Sequence, residues 1–408
     1  MSDFEDAKLI LTPNAYKAGK AYCVKPFDGS GDLTVVRNTT ATARNSSGNL
    51  ESVAANVPRL NYPVGGGCPS WLIEPQRTNT VTFSNDFTNA AWNLTTEVNL
   101  TPNSAISPDG IINATKVVPT TNNVTHYIGR SIQSITGGVY SVFVKADGYD
   151  WILLTSHTTS APEVRGHFFN ISNGTVGSTA GTAQTAWIED WGDGWYRCSI
   201  DEGNSPSSLF TVIVSNADGV VSFAGNGIDG VLVYEAQNEQ GSYPTSQIPT
   251  TGTTVTRNAD VFSKTGISSL IGQTEGSIFI DVNLNSTIGG GVKLISVVRP
   301  SSGQFITMYL NNSGILAADF YPSGAYTFSL GSGIAITQGR HKIAIAYKQG
   351  DYAMYVDGVL LSTNTNPAPL STTKSYLDIS SKFDGTTNTY CLYVNRLTNA
   401  ELEKLTTL

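Results

Sequence analysis

Apolar and polar residues alternate in short runs along most of this chain. In YSVFVKA (140–146), Tyr140, Val142 and Val144 alternate with Ser141, Phe143 and Lys145, the period-two signature of a strand whose faces meet different surroundings. Similar runs recur at WILLTS (151–156), HFFNIS (167–172), LFTVIVS (209–215) and GVLVYEAQ (230–237), and again as SIFIDVNL, KLISVV, FITMYL, HKIAIAYK, YAMYVDG and TYCLYVN. Glycine, asparagine and aspartate punctuate them. Asp357-Gly358 is a type I′ hairpin signal, and Gln349-Gly350-Asp351 marks another turn. A helix is predicted only in the tail, LTNAELEKLTTL, where Thr398 or Asn399 can cap and Leu402 and Leu405 share a face. The reading is all-β with a short C-terminal helix.

The stretch WIEDWGDGWYRCSI (187–200) carries three of the six tryptophans. Read as a helix it would hold two glycines within one turn, each costing about 1 kcal/mol relative to alanine. As a hairpin, Gly192-Asp193-Gly194 forms the turn, Tyr196, Cys198 and Ile200 share one face, and Trp195, Arg197 and Ser199 share the other. The hairpin is structural first. Its mixed face makes Trp191 and Trp195 the best solvent-facing candidates for stacking on sugar rings, with Arg197 as the polar neighbour.

Three regions differ in texture. Residues 1–77 are polar, hold short strand candidates (LTVVR, LESVA) around Asn45-Ser-Ser-Gly48, and end in a stretch with Gly-Gly-Gly and several prolines. They contain too few apolar side chains to close a core, so they are expected to be ordered only by contacts from other subunits or particle proteins. Residues 78–250 and 261–408 each read as a β-sandwich, joined by a Pro/Thr-rich connector (242–260).

Composition narrows the function. Charged residues make up only 14% of the 408 and glycines number 40, which suits a turn-rich surface protein better than a helical enzyme. A net charge of −8 without basic clusters argues against nucleic acid as a partner. No run is long enough for a membrane helix, and the opening MSDFEDAKLI lacks the pattern of a secretory signal. Cys23, Cys68, Cys198 and Cys391 fit no zinc spacing, and the four histidines fit no metal or triad spacing. A glycosidase needs two carboxylates across a cleft, usually alternating acids on one strand. No such alternation occurs, and Glu189 and Asp190 are adjacent, so no catalytic residue is assigned.

The phrases LTVVRNTTATARNSSGNLESVAANVPRLNYPVGGGCPSWLIEPQRTNTVTFSNDFTNAAWN, GWYRCSI and YEAQNEQGSYPTSQIPTTGTTVTRNAD, in that order, resemble the head-fibre, spike and tail-fibre proteins of tailed bacteriophages. Residues 78–250 also look like carbohydrate-binding modules of the jelly-roll type. Residues 261–408 are similar to concanavalin A-like, laminin G-type domains, through His341, the YVDG hairpin at 355–358 and the Leu397–Leu402 helix signature. The resemblance implies a non-enzymatic virion surface protein: a homotrimer anchored to capsid or tail proteins by residues 1–77, displaying jelly-roll domains to host surface glycans. The alternatives it leaves are a tail fibre with depolymerase activity and a purely structural decoration protein. The module likeness also implies a structural calcium, with Asp86 and Asp229 as oxygen ligands.

Overall fold

The computed structural model describes residues 4–158, 161–182, 185–203, 207–285, 293–300, 303, 305–322, 324–379 and 385–408. Among them the chain is built of antiparallel strands, with Asn399–Thr406 as the one α-helix. Thr398 caps that helix: its hydroxyl accepts from the Glu401 amide (3.3 Å) while the Glu401 carboxylate accepts from the Thr398 amide (2.6 Å).

The middle sandwich packs a six-stranded sheet on a five-stranded one. The first runs in the order Val98–Ile106, Ile112–Pro119, Gly230–Gln240, Gly138–Asp147, Trp195–Asp201, Ala186–Gly192. The second runs His126–Ile135, Ser207–Ser215, Trp151–Thr158, Ala161–Asn170, Thr175–Gly181. Tyr140, Val142, Val144, Cys198 and Ile200 of the first face Ile152, Leu154, Phe210, Val212 and Phe169 of the second. These are the alternate positions that the period-two pattern assigns to a core.

The C-terminal sandwich consists of an eight-stranded and a nine-stranded sheet, and residues 1–77 supply part of both. Leu9–Leu11 pairs with the strand Gly385–Tyr393 in the register Ile10↔Cys391, and Ser70–Leu72 pairs with the same strand through Thr387↔Trp71. Leu33–Val36 pairs with Val261–Thr265, placing Val35 opposite Phe262. Leu9, Leu33, Val35, Trp71 and Ile73 are buried in one core with Ile278, Ile280, Met308 and Tyr390. This corrects the expectation that residues 1–77 are ordered only from outside the chain. Their few apolar side chains need not close a core of their own, because they enter one built by residues far along the sequence.

The same region reaches the middle sandwich. The hairpin formed by Ala41–Arg44 and Leu50–Val53 lies on the outer face of the six-stranded sheet, where Leu50 packs with Ala114, Phe143, Trp195, Leu232 and Tyr234. Between the sandwiches sits a buried ionic cluster. Arg37 Nη1 donates to Asp260 Oδ1 (2.8 Å), Arg59 bonds both Asp260 and Glu74 (2.7 Å to the latter), and Arg257 lies 2.9 Å from Glu74. Burial alone would raise the Glu74 carboxyl, but Arg257 and Arg59, with Ser246, outweigh it and hold it well below the usual carboxylate range.

Candidate functional site

The 187–200 hairpin forms as expected, with Asp193 at φ 51° between Gly192 and Gly194. Its mixed face is not open to solvent, which corrects the assignment of Trp195 and Arg197 as sugar contacts. Trp195 is only 3% exposed and donates its indole N–H to the Ile106 carbonyl (3.1 Å). Arg197 is 4% exposed and donates to the Thr245 carbonyl (2.6 Å) and the Ser141 hydroxyl (2.9 Å). The cause is the cover over this sheet: Leu50 and the connector around Thr245 remove both side chains from water. Trp191 is half-buried, with the ring of Phe143 edge-on at 4.9 Å and the Arg44 guanidinium 4.0 Å over its own ring. A ring occupied in this way is not a free platform.

The calcium ligands that the module likeness implies, Asp86 and Asp229, are each engaged within their own turns. Asp86 accepts from the Thr88 hydroxyl (2.8 Å) and the Asn89 amide (3.2 Å), whereas Asp229 accepts from Asn226 Nδ2 (2.6 Å). Each carboxylate closes its own turn. Among the described residues no group of three or more His, Cys, Asp or Glu converges as metal ligands, fewer than the oxygen set Ca²⁺ requires.

A polar cleft emerges instead where the three regions meet. Its floor is the uncovered end of the outer face of the eight-stranded sheet. Along the strand Glu275–Leu284, Ile278, Ile280, Val282 and Leu284 point into the core, while Phe279 and Asp281 share the other face. The C-terminal helix and Ala7 cover that face at Phe279. Beyond Phe279 the cover ends, and the same face carries Asp281 and Asn283.

Register brings the rest of the floor together. Asn283 lies opposite Arg340 on one side and Thr386 on the other. The pairing slips by one residue between Asp281↔Thr389 and Val282↔Thr387, leaving Asn388 as the extra residue of a β-bulge. Bulges re-aim side chains, and here the amide of Asn388 reaches Asp281: Nδ2 donates to Oδ1 at 2.8 Å, while Oδ1 of Asn388 accepts from the Ser70 hydroxyl at 2.5 Å. On the other side Arg340 grips Asp281 through two parallel bonds, Nε to Oδ1 (3.0 Å) and Nη2 to Oδ2 (2.6 Å). Donating to the Asp281 carboxylate raises the guanidinium's affinity for its proton.

The walls come from elsewhere in the chain. Tyr62, Pro63, Cys68 and Pro69 form one side, and Arg44 with Glu189 forms another, across a cleft of about 820 Å³. Arg44 Nη2 lies 3.5 Å from Glu189 Oε1 and donates to the Asp190 carbonyl (3.3 Å). So the tryptophan hairpin does reach the candidate site, through Glu189 rather than through its rings. Asp281, Arg340 and Asn388 were missed by sequence reasoning. The available signal was the switch from Phe279 to Asp281 and Asn283 on one strand face, which marks where apolar cover stops.

A second cavity, about 560 Å³, lies on the outer face of the five-stranded sheet. There a row of small side chains in register, Gly129, Thr211, Thr155 and Gly166, runs beside an apolar row, Tyr127, Ile213, Leu153 and Phe168. Thr155 and Thr211 hydrogen-bond to one another, and among the described residues no charged side chain lines the trough.

No protein-family model matches this chain, and no curated protein does. Among solved structures it is similar to a sialidase carbohydrate-binding module of Ruminococcus gnavus bound to α2,3-sialyllactose: 14% identity, TM-score 0.30, covering 36% of this chain and 92% of that one. It is similar to a leech intramolecular trans-sialidase at 20% identity and TM-score 0.29, over 34% of this chain and 24% of that one. A heptameric pentraxin of Limulus polyphemus gives 12% identity and TM-score 0.26, over 32% and 68%. Likenesses of this size carry no functional argument.

Proposed function

We propose that this chain is a non-enzymatic, glycan-binding surface protein, and that the cleft floored by Asp281, Asn388 and Arg340 is its saccharide site. The observation that carries the reading is the hydrogen-bonded row of amide, carboxylate and guanidinium on one sheet face, walled by Tyr62 and Pro63. Such groups present donors and acceptors side by side, the pattern that adjacent sugar hydroxyls require, and an aromatic ring supplies apolar surface for the C–H face. The trough of the middle sandwich suits a saccharide less well, since its lining is largely apolar.

The adhesive role fits the resemblance to tailed-phage fibre and spike proteins, which gives a trimer on capsid or tail and the virion surface as its place. Many weak sites on repeated fibres sum to firm attachment. Both carboxylates of the cleft are engaged by guanidinium groups, which suits binding more than proton transfer. The test is a glycan array probed with the full chain and with Asn388→Ala: binding is expected for the first and at least about tenfold weaker for the second, the worth of one or two lost hydrogen bonds. Release of reducing ends from capsular polysaccharide would replace adhesion with depolymerisation. Immunogold labelling of phage particles tests the location.

A further inference from the structure

The charge arrangement of the cleft narrows its ligand class, an inference that rests on the glycan reading above. Four ionised side chains line it: Arg44, Arg340, Asp281 and Glu189. Each cation is paired to one of the anions, Arg340 to Asp281 at 2.6 Å and Arg44 to Glu189 at 3.5 Å. Among the described residues the lining carries no net charge, and each of its cations has an anionic partner. The Asp281 side chain is 6% exposed and fixed on both sides, so Arg340 is not released from it without breaking the floor. Arg44 is held more loosely, by Glu189, by the Asp190 carbonyl and by the ring of Trp191.

We infer that the cleft takes a neutral saccharide and discriminates against sugars bearing a carboxylate or sulfate. An anionic substituent bound at the floor would sit within a few ångströms of Asp281, where like charges repel, and among the described residues each guanidinium of the lining is already paired with an acid and offsets its loss of water less. A neutral sugar meets only dipoles and completed ion pairs, and hydrogen-bonds to Asn283, Asn388, Ser70 and Thr386 through its hydroxyls. Glu189 is the discriminating residue. With its side chain 54% exposed at the rim, it pairs with Arg44 and presents a second negative charge to any acid that enters the cleft.

The experiment is an array of paired saccharides that differ only by a terminal sialic or uronic acid, probed with the full chain, with Glu189→Gln and with Asn388→Ala. The neutral member of each active pair should bind at least about tenfold more tightly, the measure of one uncompensated charge contact, with an affinity insensitive to salt between 50 and 500 mM, on the order of the range over which surface charge is screened. Glu189→Gln frees Arg44 and should narrow or reverse the preference. Asn388→Ala should weaken both members. Acid-bearing members that bind the parent chain as well as or better than neutral ones would overturn the neutral class while leaving a glycan site in place. Silence on every pair from protein shown to be folded by circular dichroism would overturn the glycan reading itself.

Discussion

Arg37 and Asp260 stand 223 positions apart and meet at 2.8 Å with both side chains fully buried. Asp260 also accepts from Arg59 and, at 3.0 Å, from the Glu74 amide, so one carboxylate ties residues 1–77 to the start of the C-terminal sandwich. Removing its charge leaves three buried guanidinium groups, Arg37, Arg59 and Arg257, with Glu74 as the remaining acid of the cluster. Asp260→Asn should therefore destabilise the fold by about 3–5 kcal/mol, the usual consequence of breaking a buried ion pair from one side. Urea denaturation of the two proteins measures it, and a change below about 1 kcal/mol would show that the cluster relaxes around the loss.

Truncation gives a second outcome. Residues 261–408 expressed alone lack Leu9, Leu33, Val35 and Trp71 from their core and the strands Leu9–Leu11 and Leu33–Val36 from their sheets. Exposed apolar surface and unpaired sheet edges favour aggregation. The fragment should aggregate or bind ANS strongly, while residues 4–408 remain monodisperse by light scattering. A well-dispersed NMR spectrum from the fragment would count against this.

Trp195 and Trp191 should separate stability from binding. Trp195→Ala removes a ring packed with Phe143, Tyr234 and Leu232 and should cost about 3–5 kcal/mol. Trp191→Ala removes a half-buried ring and lets Arg44 move, so its larger effect should be on the cleft wall, seen as altered saccharide affinity with a smaller stability change. Thermal melts and titration calorimetry on both variants distinguish the two effects.

Stability should also depend on pH through Glu235. This residue is the unpaired one of a bulge opposite Val142 and Phe143, at φ 43°, and burial pushes its carboxyl up to about 7 against the opposing hydrogen bonds from Ser84 and Gln247. Between about pH 4.5 and pH 7 the folded chain holds a proton that the unfolded chain has released. Stability therefore falls as pH rises through that window, by up to ~1.4 kcal/mol per pH unit. Glu235→Gln should flatten this slope. Glu74 acts in the opposite direction: its depressed carboxyl adds stability above its ordinary value of 4.5 that is lost as pH falls. Unfolding curves above about pH 4.5 measure the Glu235 slope, and curves below about pH 4.5 measure that of Glu74.

Local features were legible in the sequence because their causes are local. Period-two alternation placed the core positions Tyr140, Val142, Val144, Cys198 and Ile200. Gly-Asp-Gly placed the turn at 192–194, where positive φ is required, and Thr398 with Glu401 placed the helix start through hydrogen bonds within one turn. The phrases that resemble phage fibre proteins, WLIEPQRTN and YEAQNEQ through TRNAD, turn out to hold Glu74, Arg257 and Asp260 of the buried cluster. Their residue choices answer to that packing.

What the tertiary structure alone decided is which strand faces are covered. Alternation shows that Trp195 and Arg197 share a face, but whether water reaches it depends on Leu50 and Thr245, brought there by contacts across the whole chain. The same holds for the cleft. Arg44 and Glu189 are 145 positions apart, Ser70 and Asn388 are 318 apart, and the bulge that turns Asn388 toward Asp281 is a property of two paired strands. Side-chain period is set by the backbone of one segment. Exposure is set by what other segments leave uncovered, and that choice is made only when the entire chain buries its apolar surface at once.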